Sequence, residues 1–234
     1  MRLMLTIPLL LAAAAPAAAA DRNFGVNGFD RVRVDGDYRV ELTTGVAPYA
    51  KASGDVRAID RLNIKVEGRT LIVRLAQSGG WGSERQSSGP VTIRIGTHEL
   101  TTAQVNGAGS LAINRVEGLK FEASAAGAGM LTIADVAVDQ LTVVLAGAAS
   151  ARLAGKAGRV TALVRGMSVL DAGQLEVKDS KIVAEGPATV RLTASETAKV
   201  TAAGVGSVSL AGNPACTLDV HGSASVSGCR AARY

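Results

Sequence analysis

The sequence predicts an all-β fold, a right-handed parallel β-helix with about 18–20 residues in each coil. Three observations lead to this prediction: a glycine motif recurs at steady intervals, apolar and polar residues alternate around it, and aromatic residues make up only 3% of the chain. A core with so few rings has to be built from small and branched aliphatic side chains. Such a core suits a narrow interior in which strands lie close together.

The glycine repeat is clearest after residue 100, where segments such as NGAGSLAI (106–113) and AGAGMLTI (126–133) recur. The successive glycines are separated by 20, 20, 19, 20, 18 and 18 residues. We expect each glycine to form a corner where the chain turns sharply, often with positive φ, while the next coil lies about 4.8 Å away. The predicted corner glycines are Gly107, Gly127, Gly147, Gly166, Gly186, Gly204 and Gly222.

Each repeat alternates with the two-residue period of a β-strand on both sides of its glycine. In one repeat, Phe121, Ala123 and Ala125 precede the glycine, and Leu131 and Ile133 follow it. Serine, threonine and charged residues fill the positions between them. One side of each strand is therefore expected to be buried and the other hydrated.

A third stretch closes each coil and carries its own apolar residues, among them Val116, Val136 and Leu175. The two 18-residue spacings predict that this third side becomes shorter near the C-terminus. A β-sandwich or β-barrel is the alternative fold, because it also contains alternating short strands. Those folds do not require the same small-residue corner at every step of about twenty residues.

The first twenty residues are expected to be a signal peptide, residues 1–20. Arg2 supplies a positive start, an apolar stretch follows, and Ala18 and Ala20 fill the small-residue positions before a cleavage site. We therefore expect an exported protein, periplasmic or at the surface or outside of a bacterium. Beyond residue 20 the sequence has no apolar run long enough to span a membrane.

Residues 21–234 are expected to form a single β-helical domain. The regular coils cover 101–229, and 21–100 form less regular opening coils with an exposed loop at 76–90, where QSGGWGSERQSSGP is polar and rich in glycine. Within these opening coils, SGDVRAI (53–59) resembles the later corners, with Gly54 as its glycine.

The charge of this domain is small and evenly spread. Without Arg2 the chain has 25 − 1 = 24 basic and 20 acidic side chains, a net charge of about +4 that forms no basic block. The sequence therefore predicts no nucleic-acid partner.

Cys216 and Cys229 are the only two cysteines in the chain. An even pair in an exported protein favours a disulfide, which here would close the last coil. A redox or metal pair would be expected to show CxxC spacing and a nearby cluster of ligands, and neither is present in the sequence. We predict no metal site and no cofactor.

Catalytic and binding residues are harder to find in the repeat. Glu117, Glu176 and Glu196 share one coil position but are separated by coils with alanine there, whereas polysaccharide-cleaving enzymes cluster their acids. Outward serine and threonine residues form a column three residues after the glycines, which is expected to bond backbone and water. Trp81 and Arg85, in the predicted loop, are the best candidates for contact with a ligand.

The opening GFDRVRVDGDYRVELTTG (28–45), the LNIKVEGRTLIVRL block (62–75) and the GAG corners together resemble the bacterial family called putative auto-transporter adhesin, head GIN domain. The resemblance extends over essentially all of residues 21–234 and implies an exported β-helical protein.

We therefore predict an exported, non-catalytic, adhesin-like binding or structural protein of the envelope or the medium, with a glycan or an envelope protein as its surface ligand. A carbohydrate-active enzyme on a β-helix scaffold is the alternative; it would need two facing carboxylates roughly 5–10 Å apart in a groove. A homo-oligomer formed through exposed faces or end coils is a third hypothesis.

Overall fold

The computed structural model describes residues 20–76 and 90–230. This part of the chain forms one connected sheet of 16 strands with one short helix. In chain order the elements are β1 (Ala20–Phe24), β2 (Arg31–Asp35), β3 (Arg39–Thr44), β4 (Tyr49–Gly54), α1 (Val56–Asp60), β5 (Leu62–Glu67), β6 (Thr70–Leu75), β7 (Val91–Thr97), β8 (Thr102–Gly107), β9 (Ser110–Gly127), β10 (Met130–Gly147), β11 (Ser150–Gly166), β12 (Val169–Glu185), β13 (Thr189–Gly204), β14 (Ser207–Ala211), β15 (Ala215–Gly222) and β16 (Ser225–Ser227).

Residues 102–227 form a parallel β-solenoid of about six turns, which confirms the predicted fold class. Each of the strands β9 to β13 follows almost a whole coil and is interrupted only at the glycine corner. Neighbouring coils pair in parallel and in register, so that Gly127 lies opposite Gly107 and Gly147 opposite Gly127. Identical positions therefore stack above one another along the solenoid.

The alternation of buried and exposed residues divides each coil into three sides. In β9 the alternation breaks at Asn114 and Arg115, which are both exposed, and again over residues 117–120. Between these breaks lies the predicted third side, whose apolar residue is buried in three coils, at Val116, Val136 and Leu175. The interior is filled mainly by aliphatic side chains, with the rings of Phe29 and Phe121 among them.

The third side shortens where the sequence predicted it. Between β12 and β13 the pairing runs from Ala172 opposite Leu192 directly to Glu176 opposite Thr193, so residues 173–175 have no counterpart in β13. The two sides that carry most of the aliphatic core keep their length, because their stacked side chains fix the register.

The seven corner glycines all have positive φ, between 74° and 109°. At six of these corners, all but Gly186, an added Cβ would also lie within about 3.0 Å of the coil below. A Cβ on Gly147 would lie 2.9 Å from the carbonyl oxygen of Gly127, closer than such contacts normally occur. Glycine is needed at the corner both for its backbone conformation and because adjacent coils approach so closely.

The prediction of a corner at Gly54 was wrong. Gly54 ends β4, which runs antiparallel to β7, and the following residues form α1. The Asp55 side chain accepts a hydrogen bond from the Ala58 backbone N–H at 3.0 Å, so an N-cap explains this segment. The true neighbour of the Gly107 corner is Gly36, whose carbonyl oxygen would lie 3.0 Å from a Cβ on Gly107.

The N-terminal third is a mixed sheet and not only a set of opening coils. The corner formed by β2 and β3 is stacked between two others, because β2 pairs in parallel with both β6 and β8, and β3 with both β7 and β9. β6 thus ends, and β7 begins, at the place where other coils have their glycine corner; the predicted exposed loop at 76–90 lies outside the described residues except for its two ends. Beyond this layer β5, β4 and β1 add antiparallel strands, and α1 contacts β4 and β1.

The predicted disulfide joins Cys216 of β15 to Cys229, just after β16. It closes a loop with a sequence separation of 13 residues in the last coil, which has a neighbouring coil on one side. Replacing both cysteines with serine is expected to lower the free energy of unfolding of this coil by about 2–3 kcal/mol, because the unfolded loop gains conformational entropy.

Hydrogen exchange measured on the double serine variant checks this prediction. Coils of a solenoid contact only their neighbours, so the loss of amide protection should be confined mainly to residues 207–230. Unchanged exchange in these residues, or an equal loss along the whole solenoid, would contradict the local role assigned to the disulfide.

Candidate binding surface

A row of apolar residues follows the glycine corner along the outside of the solenoid. From Gly107 to Gly204, the residue directly after each corner glycine is exposed, whereas the next residue turns inward and is buried. In two coils this residue donates its backbone N–H to the coil below, Ala128 to the Gly107 carbonyl at 2.9 Å and Ala148 to the Gly127 carbonyl at 2.8 Å. We call this row the corner ridge; its members are Ala108, Ala128, Ala148, Met167, Pro187 and Val205.

The corner ridge exposes substantial apolar surface. Met167 and Val205 are each 68% exposed, and beside them Met130 and Val169 are 54% and 40% exposed. With coils about 4.8 Å apart, the six members extend over about 24 Å. Contiguous apolar surface of this kind marks an interaction site, in contrast to apolar residues that are exposed singly.

At its N-terminal end the ridge meets a cleft of about 560 Å³, to which Ala108 contributes. The cleft lies beside the end of β6 and the start of β7. We call it the corner cleft; its lining includes Tyr38, Arg39, Arg61, Leu75, Ala108 and Ser110.

Tyr38 is held firmly in the corner cleft. Its ring packs against the hydrophobic core, and its backbone oxygen accepts a hydrogen bond from the Ser110 N–H at 2.8 Å. Burial raises the pKa of the Tyr38 phenol above 10.0, and the nearby negative charge of Asp37 adds to the effect. At neutral pH the phenol is therefore an uncharged group that can both donate and accept hydrogen bonds.

The charged groups of the cleft are mainly cationic. Arg39 and Arg61 line it together with one acidic residue, Asp37, and Leu75 adds an aliphatic side chain that is 58% exposed. Aromatic and arginine side chains are enriched at the centres of protein interfaces. The corner cleft therefore offers a mixed apolar and cationic contact at the end of an apolar ridge.

Glu117 and Glu176 lie in one column of the third side, with Ala137 and Lys156 between them. The prediction that Glu196 shares this position was wrong, because Glu176 pairs with Thr193 where the third side shortens. Glu117 lies 3.4 Å from Arg115, and Glu176 lies 3.3 Å from Lys156. Each of these carboxylates has a cation beside it, which is the arrangement of a surface ion pair. Within residues 20–76 and 90–230, no group of three histidine, cysteine, aspartate or glutamate residues is arranged to hold a metal ion.

The predicted contact residues Trp81 and Arg85 lie outside the described residues. The predicted column of outward hydroxyl residues is in register, since Ser110 pairs with Met130, which pairs with Ser150. The methionine that interrupts this column adds to the apolar surface beside the corner ridge.

Sequence reasoning missed both the corner ridge and Tyr38. The ridge had a readable signal, because the residue after each glycine from Gly107 to Gly204 is apolar. Tyr38 had none, because its place in the cleft depends on Gly36 being a corner and on strands that are distant in sequence.

The family model described as putative auto-transporter adhesin, head GIN domain, matches residues 28–214. This chain belongs to that family. The matched region runs from β2 to β14 and contains the whole corner ridge and the corner cleft residues 37–110. The family resemblance of the opening segment, the 62–75 block and the GAG corners is thereby confirmed.

Solved structures of low sequence identity share the fold of this head GIN domain protein. A putative adhesin from Bacteroides fragilis has a TM-score of 0.80 at 19% identity, over 89% of this chain and 96% of that one. A putative adhesin from Parabacteroides merdae has a TM-score of 0.69 at 16% identity, over 90% and 96%. A putative lipid binding protein from Parabacteroides distasonis has a TM-score of 0.69 at 19% identity, over 91% and 98%.

No curated protein matches the chain. The family description names an adhesin and no enzymatic activity. Together with the Cys216–Cys229 disulfide, it indicates an extracytoplasmic protein. Among the residues that the structure describes, no helix is long and apolar enough to cross a membrane.

Proposed function

We propose that this head GIN domain protein is an exported, non-catalytic binding protein that holds a protein of the bacterial envelope or cell surface along the corner ridge and corner cleft. The observation that carries the proposal is the unbroken column of exposed apolar residues on six successive coils. The partner is reached in the periplasm or outside the cell, where a disulfide persists.

The solenoid suits this role because its surface is rigid before the partner binds. Each ridge residue sits in a coil that is hydrogen-bonded to the coils on both sides, and the interior beneath it is closely filled. A preorganised surface loses little conformational entropy on binding, so more of the contact energy remains as affinity. Stacked coils also provide a long surface of constant shape.

The chemistry of the surface favours a protein over a glycan. Sugar rings stack on exposed aromatic faces, but the corner ridge consists of alanine, methionine, proline and valine. An extended apolar segment of a protein would fit the ridge, with acidic or hydrogen-bonding groups placed at Arg39, Arg61 and Tyr38 in the cleft. The relatives named as putative adhesins and as a putative lipid binding protein are consistent with a function in binding.

A panel of purified envelope proteins, glycans and lipid vesicles, each titrated against the protein, tests the proposal. We expect an envelope protein to bind, and the double variant Met167→Lys, Val205→Lys to bind it at least about tenfold more weakly, because two charges would be placed in the apolar contact. Tyr38→Ala should weaken the same interaction from the cleft. Trp81→Ala tests the separate proposal that residues 76–90 contribute.

Leu119→Lys is the matched control, since Leu119 is also a large exposed apolar residue, 78% exposed, but lies on the third side of the solenoid. It should bind like the wild-type protein. Equal affinity of the ridge variant and the wild-type protein would reject the ridge as the binding surface. Binding of glycans or vesicles alone would reject a protein as the partner.

A further inference from the structure

Among the residues that the structure describes, those at the C-terminal end of the solenoid leave part of the core exposed. Leu218 and Val220 in β15 stack on Val200 and Ala202 of the preceding coil. The latter two are at most 1% exposed, but Leu218 is 47% exposed and Val220 is 42% exposed. Within the described residues β15 pairs with β13 alone, so one edge of this eight-residue strand has backbone groups without a strand partner.

The edge strands at the two ends of the molecule differ in how they are protected. At the N-terminal end the antiparallel strands carry charges in ion pairs, Asp21 with Lys51 and Lys65 with Glu67, and α1 lies against β1 and β4. Charged residues and covering helices are the usual protection of an edge strand. β15 has no lysine, proline or bulge along its edge, and the side chains that point towards the interior are apolar.

We propose that the C-terminal end binds the same end of a second copy, with β15 of the two subunits pairing antiparallel about a two-fold axis. A partner for this end has to supply both a free strand edge and apolar side chains within the outline of one coil. A second C-terminal end supplies both. Head-to-tail stacking would instead bring β15 against the charged and covered N-terminal layer.

Hydrogen-bond complementarity between an imidazole N–H donor and a carboxylate acceptor selects the register of this pairing. Asp219 and His221 lie on the outward side of β15, with 2.9 Å between Oδ1 and Nε2. When the two strands are centred on Val220, Asp219 faces His221 of the partner subunit, and the relation is repeated by symmetry. On the interior side the two Val220 side chains then meet, and each Leu218 covers the partner's glycine corner, so the two cores become continuous.

Analytical ultracentrifugation of the oxidised protein, from micromolar to millimolar concentration, tests the proposal. We expect a reversible monomer–dimer equilibrium, and amide exchange in residues 215–222 that slows as the dimer forms. Leu218→Lys should raise the dissociation constant at least about tenfold, because it places a charge in the joined core. Asp219→Lys should also weaken the dimer. The double variant Asp219→His, His221→Asp, in which the two residues are exchanged, should dimerise like the wild-type protein.

Met167→Lys is the control, since it places the same charge on another exposed apolar residue, in the corner ridge and away from β15, and it should leave the dimer unchanged. Circular dichroism of each variant shows that the solenoid is folded, and Asp219→Lys tests the interface without altering an interior position. A wild-type protein that stays monomeric throughout the series would overturn the proposal. Association that is lost in Met167→Lys but kept in Leu218→Lys would also overturn it.

Discussion

Gly147→Ala is expected to lower the free energy of unfolding by about 2–5 kcal/mol. Gly147 has φ of +90°, which costs an L-residue about 1–2 kcal/mol, and its new Cβ would lie 2.9 Å from the carbonyl oxygen of Gly127. That oxygen belongs to the backbone of the coil below and accepts a hydrogen bond from the Ala148 N–H, so it cannot move away freely. The energetic costs of backbone strain and of steric overlap with the coil below therefore add.

Gly45→Ala is the matched control for backbone strain. Gly45 has a similar φ of +78°, but nothing lies within 4 Å of the position that its Cβ would take. Its substitution should cost only the strain, about 1–2 kcal/mol. Urea unfolding of both variants, with the disulfide intact, measures the difference. Equal losses would show that contact between coils does not constrain the corner.

Asp30→Ala is expected to destabilise the protein by about 2–3 kcal/mol, because it removes hydrogen bonds to a buried charged acceptor. The Asp30 side chain is only 6% exposed and accepts hydrogen bonds from Arg69 Nε at 3.0 Å, Arg69 Nη2 at 2.6 Å and Thr101 Oγ1 at 3.1 Å. These bonds connect the turn between β5 and β6 to the segment before β8. Removing the carboxylate leaves the donors of Arg69 and Thr101 without their hydrogen-bond acceptor.

Glu99→Ala is the control for this second prediction. Glu99 also lies near Arg69, at 3.8 Å, but its side chain is 71% exposed. A solvent-exposed ion pair contributes about 0–1 kcal/mol, so the control should unfold almost as the wild-type protein does. Unfolding curves that coincide for both variants would contradict a structural role for the buried carboxylate.

The stacked region could be predicted from local sequence because the same steric requirement recurs in each coil. A turn at Gly127 or Gly147 must leave room for the backbone above and below it, and the same spacing then returns in every coil. The alternation around the turn identifies the interior side chains. The shortening after residue 172 was also visible, since two glycine spacings of 18 residues required a shorter side.

The N-terminal part could not be predicted in the same way. Gly36 and Gly54 are both followed by aspartate, but Gly36 forms a corner and Gly54 precedes a helix. The difference arises from pairing partners, because residues 31–35 lie beside both 70–73 and 102–106. A short segment does not show which distant strands it will pair with. The resemblance of residues 53–59 to the later corners also outweighed the local N-cap signal at Asp55.

By itself the sequence determined the β-solenoid, its coil length, its corner glycines and its disulfide pair, because these depend on contacts between equivalent positions about twenty residues apart. Only the tertiary structure decided the order of the first layers, the antiparallel cap and the corner cleft. The cleft collects residues from 37–39, 58–61, 75, 90–92 and 108–110, which meet because strands far apart in the chain share hydrogen bonds. That pairing minimises exposed backbone and apolar surface over the whole layer, a global condition that no single segment encodes.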